Sequence, residues 1–190
     1  MKDSKLIVIF IICVVVIIGL ICFKKDGMTE EEIRTLIEKG TSYDNLYSLE
    51  ETSNEKKERF LKDDILVIKT ESMLVWKDFN TNEIITIKDN YALVQKDSRK
   101  FVKYTMEDYL DESKYKIVYE KEDIFEGKDC VYVKVYNIND EPIAMYTIDK
   151  ETGLPEQTEM SGNYTYSIGT VTDEDVKKPD LSKYNVVKPE

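Results

Sequence analysis

A β-rich α+β domain, carried behind one membrane-spanning helix, is the fold class this sequence predicts. Three observations lead there. An uncharged apolar run occupies residues 6–23, beginning at Leu6 and ending at Phe23. From residue 43 onward, short extended runs alternate with turn residues at close intervals. Several of those runs place apolar groups on both faces, which an antiparallel sheet with one wet face would not do. Something is therefore expected to cover the second face of this antiparallel sheet: a short N-terminal helix, a ligand, or the sheet's own curvature into an open barrel.

Taken as a helix, residues 6–23 span about 27 Å, close to the hydrocarbon thickness of a bilayer. Lys2 and Lys5 make residues 1–5 a short basic tail. A cleaved signal peptide is the competing reading, but it needs small residues at its end. The first alanine of the chain is Ala92, and the run exits through Cys22, Phe23, Lys24 and Lys25. Ile12 and Ile21 precede Cys13 and Cys22, where a lipidation signal would need a small residue. An uncleaved anchor in the lipid bilayer is thus expected. Lys24, Lys25, Arg34 and Lys39 outnumber Lys2 and Lys5, which counts against a cytoplasmic N-terminus. Long domains are exported largely regardless of such charges, so the C-terminal domain is expected outside a single-pass cell membrane.

The 190 residues include 38 acidic and 27 basic side chains, a formal net charge of −11. Such a domain is repelled by nucleic acid and by anionic headgroups, so neither is an expected partner. Histidine is absent, which removes Ser-His-Asp and Cys-His catalysis and most zinc sites. Cys130 is the only cysteine beyond the apolar run, so no disulfide staples the domain. Export without disulfides fits a bacterial envelope, here expected to be of the Gram-positive type.

Four divisions follow: the tail 1–5, the anchor 6–23, a β-rich domain 24–176 and an extended, exposed tail 177–190. Residues 28–40 read as one helix. Thr29 and Glu32 have the spacing of a capping box, Met28 and Ile33 that of a hydrophobic staple. Ile33, Leu36 and Ile37 share one face, and Gly40 is expected to stop the helix. Strands are predicted at 43–51, 58–62, 65–70, 73–78, 83–88 and 91–95, a meander of hairpins. A helical turn at 105–112 leads to strands at 115–121, 130–137, 142–149, 154–160 and 163–171. Val131, Val133 and Val135 fall on one face of their strand. Asp149 and Gly153 suit a hairpin turn with a left-handed glycine.

Residues Gly127 to Val135 (GKDCVYVKV) and Met145 to Pro155 (MYTIDKETGLP) carry a resemblance. A glycine turn, an alternating strand and then a strand ending in I-D-K-x-T-G-L-P resemble the lipoprotein carriers typified by LolA, with their LolB and RseB relatives. The similarity covers residues 29–171. It implies a strongly curved antiparallel half-barrel whose helices close the concave side over a cavity for acyl chains or a partner's lipid. The carrier proper is soluble, whereas this chain is expected to be tethered, so its transport role is not carried over. None of the family's ligand-contacting residues matches a position here.

The broken alternation at 65–68 and 73–76 makes Leu66, Ile68, Leu74 and Trp76 the candidate lining of an incompletely filled apolar cavity. Asn137, Asn139, Asp140 and Glu141, like Asp173, Glu174 and Asp175, offer oxygen ligands but lack the calcium-loop spacing with its glycine. Neither a metal, a cofactor nor a catalytic residue is expected. Two readings remain: a non-catalytic domain for a lipid or lipidated protein, and a protein-interaction or sensory module of the envelope on the same fold. Oligomeric state is not legible.

Overall fold

The computed structural model describes residues 27–96, 102–158 and 162–188. The apolar run 6–23, and the membrane anchor expected there, lie outside the described residues. Among the described residues, no helix is long and apolar enough to cross a membrane.

Helix α1 (Glu30–Gly40) opens on Thr29, whose side chain accepts from the Glu32 amide while Glu32 accepts from the Thr29 amide. Met28 and Ile33 pack into one core cluster at this end. Gly40 does not stop the helix as a left-handed residue. It is the last helical residue, and Thr41 caps the end. Its missing side chain has another cause: a β-carbon there would lie 2.2 Å from the Gly153 carbonyl oxygen.

Among the described residues, twelve strands make one open, curved sheet. A first meander runs through β1 (Asn45–Glu51), β2 (Lys56–Lys62), β3 (Ile65–Lys69), β4 (Met73–Asp78), β5 (Glu83–Lys88) and β6 (Tyr91–Lys96). The 3-10 turn Glu107–Leu110 then leads to a second meander. It comprises β7 (Tyr115–Phe125), β8 (Lys128–Asn137), β9 (Pro142–Asp149), β10 (Pro155–Thr158) and β11 (Gly162–Ile168). The two meanders join side by side through an antiparallel β1–β11 ladder. Tight connections explain the sharpness of the hairpins. Asp63 and Asp89 take positive φ in two-residue links, and Glu126 with Gly127 does so at both positions.

The segment after residue 177, expected as an extended and exposed tail, is extended at β12 (Asn185–Val187) but adds to the sheet there. Strand β12 pairs with β6 in parallel, the one parallel pairing among the described strands.

Pairing register decides which side chains share a face. On the inner face, toward α1, Ile117, Val131, Val133, Val135, Tyr146 and Ile148 pack against Ile33, Leu36 and Ile37. On the outer face, Val67, Trp76, Ile85, Ile87 and Ala92 are covered by Val171 and Val176, with Leu181 and Tyr184 beside them. A third cluster, Leu46, Leu61, Leu66 and Leu154, fills the inner face at the seam of the meanders. The broken alternation thus has a plain cause: two covers, one per face. The strands, α1 and all three clusters lie within residues 27–188, so a chain lacking residues 1–23 keeps its packed structure.

Trp76 is 4% exposed, and its indole N–H donates to the Val176 carbonyl at 2.9 Å. Lys178 sits over the ring at 5.4 Å from its centre. Trp76→Phe should therefore cost about 1–3 kcal/mol, by leaving a buried carbonyl unpaired. It should also speed tryptic cleavage after Lys177 relative to cleavage within the β7–β9 hairpins. Equal cleavage rates would mean that this bond does not hold the segment down.

Candidate functional site

Among the described residues, the inner face carries a small, partly open cavity where the two meanders meet. Its floor is built by register: Tyr166 of β11 stands opposite Ser48 of β1, and Ser48 stands opposite Arg59 of β2. The next inward row along the strands is Leu46, Leu61 and Leu66. The walls are the end of α1 (Ile37, Gly40), the turn after β9 (Gly153, Leu154, Pro155) and residues 103–106. The cavity volume is about 30 Å³, room for one or two water molecules.

Residues 103–106 form the cover, held by polar latches. Arg59 Nη2 donates to the Lys103 carbonyl at 2.7 Å, and the Tyr104 hydroxyl donates to the Tyr43 carbonyl at 2.6 Å. Lys103 Nζ pairs with Asp64, and the Lys103 amide donates to Glu107 at 2.9 Å. Met106, 2% exposed, anchors the end of the cover in the α1 core.

One end of the cavity is polar and incompletely satisfied. The Tyr166 hydroxyl is sealed from solvent and has no hydrogen-bond partner among the described residues. Burial pushes its pKa well above the ordinary phenol value, and the neighbouring Tyr164 adds to the rise. Burial likewise lowers the Arg59 pKa, against the pull of Tyr166, Glu50, Tyr164 and Glu107. Glu50 is committed elsewhere, paired with Lys57 at 2.8 Å. Tyr104 is pushed up to about 12, first by burial and then by Asp44. At neutral pH the site therefore offers two neutral phenols and one cationic fork.

The four residues proposed from sequence to line a single cavity occupy both faces. Leu66 lines the inner cavity, and Ile68 packs beside it in the same cluster. Leu74 and Trp76 lie on the outer face, bordering a cleft under residues 174–180. Asp149 organises its turn, accepting from the Glu151 amide at 2.7 Å and from the Thr152 hydroxyl at 2.9 Å. Gly153 there has a φ of +76°. Sequence reasoning missed Ser48, Arg59 and Tyr166. Strand β2 (KKERFLK) is charged at both parities, so only its register shows that Arg59 points inward. Among the described residues, no group of three or more acidic or cysteine side chains could hold a metal ion.

No protein-family model matches the chain, and no curated protein sequence matches it either. Several solved structures are similar. An uncharacterized conserved protein from Thermus thermophilus is 10% identical with a TM-score of 0.47, over 84% of this chain and 98% of that one. MucB is 14% identical with a TM-score of 0.42, over 83% of this chain and 64% of that one. The MucA/MucB complex of Pseudomonas aeruginosa gives 12% identity and a TM-score of 0.41, over 83% and 63%. The chain thus spans less than two thirds of the MucB chains. The described residues form a curved open antiparallel sheet with a helix across one face. These similarities assign no residue a role.

Proposed function

We propose that this is a non-catalytic envelope domain that binds an apolar ligand, a lipid or a lipidated partner, outside a membrane to which residues 6–23 tether it. The observation that supports it is the covered cavity. Leucines from three strands and from the turn after β9 face a short segment that is latched by side chains and not by a strand ladder. Ligand sites are commonly apolar hollows with a few directed polar groups. At about 30 Å³ the closed cavity is too small for an acyl chain. Binding therefore requires residues 103–106 to withdraw, exposing Leu46, Leu61 and Leu66 as a groove.

A fluorescent fatty-acid probe titrated into the chain lacking residues 1–23 tests this reading, with membrane lipid extract as competitor. Saturable, competable binding is expected. Membrane fractionation of the full chain tests the tether, and recovery of most of the protein from the culture medium would remove it.

A second reading is favoured by a different observation. Tyr91, Val186 and Val187 are exposed by 60%, 43% and 48%, and all sit at the β6–β12 margin of the sheet. Apolar side chains on an edge strand suit strand addition by a partner protein. A folded domain that binds no probe would leave this protein-interaction reading in front.

A further inference from the structure

We propose that the ligand of the inner cavity is an acyl chain ending in a carboxylate, and that Arg59 and Tyr166 bind that carboxylate. This rests on the apolar-ligand reading and adds the chemistry of the ligand's polar end. The starting point is an imbalance. Several cations elsewhere in the domain have carboxylate partners: Arg34 with Glu30, Lys57 with Glu50, Lys103 with Asp64, Lys128 with Glu156. Arg59 has none among the described residues. Among the described residues its guanidinium donates to the Lys103 carbonyl and leaves the rest of the fork without an acceptor. Enclosed charges and buried hydroxyls are costly unless paired. Here a guanidinium and a hydroxyl that lack such partners among the described residues line the same cavity, on the two strands that flank β1, with Ser48 between them.

The two groups together are a set of donors waiting for acceptors. A guanidinium matches the two oxygens of a carboxylate side by side, and a phenol O–H adds a third donor from one flank. Leu46, Leu61 and Leu66 continue from the polar end along the same face, where the attached chain would lie. The Arg59–Lys103 bond also gives the cover a reason to open. A carboxylate competing for the guanidinium weakens the latch that holds residues 103–106, so head-group binding and cover withdrawal favour each other. A neutral ester or alcohol supplies no charge for the fork and would lack this effect.

The test compares a fluorescent polyene fatty acid with its methyl ester, using the chain lacking residues 1–23. The acid should bind at least about tenfold more tightly than the ester, the effect of losing charge-assisted hydrogen bonds. Arg59→Met should bring the acid down to the affinity of the ester while leaving the ester nearly unchanged. Tyr166→Phe, which keeps the ring and removes only an unpaired hydroxyl, should weaken the acid severalfold and leave the melting temperature equal or higher. Equal binding of acid and ester by the unaltered domain would overturn the carboxylate assignment and leave the apolar-ligand reading standing. Binding of neither would remove both. An unchanged acid-to-ester ratio in Tyr166→Phe, and in Arg59→Met where that variant folds, would overturn the assignment and make the polar end a site for ordered water.

Discussion

Gly153→Val is expected to destabilise the domain by about 2–5 kcal/mol, a large share of the stability of a domain this size. Two separate costs add. The backbone at Gly153 has φ of +76°, where a β-carbon meets its own carbonyl and costs about 1–2 kcal/mol. The same β-carbon would lie 2.1 Å from the Leu36 carbonyl oxygen and 2.7 Å from the Gly40 nitrogen. Both are backbone atoms of α1, so relief requires moving the helix off the sheet. Gly127 is the internal control: its φ is +83°, yet open space surrounds it. Gly127→Val should pay the conformational cost alone. Urea denaturation at constant slope measures both. Equal losses at the two positions would mean that α1 does not rest on this turn.

Arg34→Met should cost about 3 kcal/mol, the low end for breaking a buried ion pair, because Glu30 is half-exposed. Arg34 itself is 7% exposed. Its guanidinium donates to the Tyr109 carbonyl at 2.8 Å, the Tyr115 carbonyl at 2.7 Å and Glu30 at 2.6 Å. One side chain thus joins α1, the 3-10 turn and the start of β7. Glu30 completes the joint by accepting from the Ile117 amide at 3.0 Å. Methionine fills the space of the stem and satisfies none of these acceptors. A double-mutant cycle with Glu30→Gln should show strong coupling, because both residues serve one network. Arg34→Lys should recover only part of the loss, since an ammonium cannot reach three acceptors in the planar fork. Additive losses would mean that the network is two unrelated contacts.

The strands of this fold were legible because their punctuation is chemical. Lys62-Asp63-Asp64, Asn80-Thr81-Asn82 and Lys88-Asp89-Asn90 separate the first hairpins where the structure turns. The thin apolar stripe Ile33, Leu36, Ile37 likewise gave α1 its buried face. What could not be read was which face each strand presents to which neighbour. Val67 and Leu66 are equally apolar, and only pairing with β2 and β4 sends one outward beneath Val176 and the other inward beneath residues 103–106. For the same reason the apolar pattern groups Trp76 with Leu66, although they lie on opposite sides of the sheet. The candidate site was hidden by composition too. Arg59 sits in a strand so charged that its inward turn leaves no local mark.

The strand order β12-β6-β5-β4-β3-β2-β1-β11-β10-β9-β8-β7 has a consequence for how the molecule is assembled. Within each meander, neighbours in space are neighbours in sequence and can zip up early at small entropic cost. The ladder between residues 45–51 and 162–168 cannot: it waits for nearly the whole chain. Until then the first meander carries a raw, unsatisfied border at β1, a point of risk for a chain still emerging. The hollow between Tyr166, Ser48 and Arg59 straddles that last-made suture, so it comes into being only when the two halves have met. Any occupant that grips both sides would act as a clasp on the finished fold.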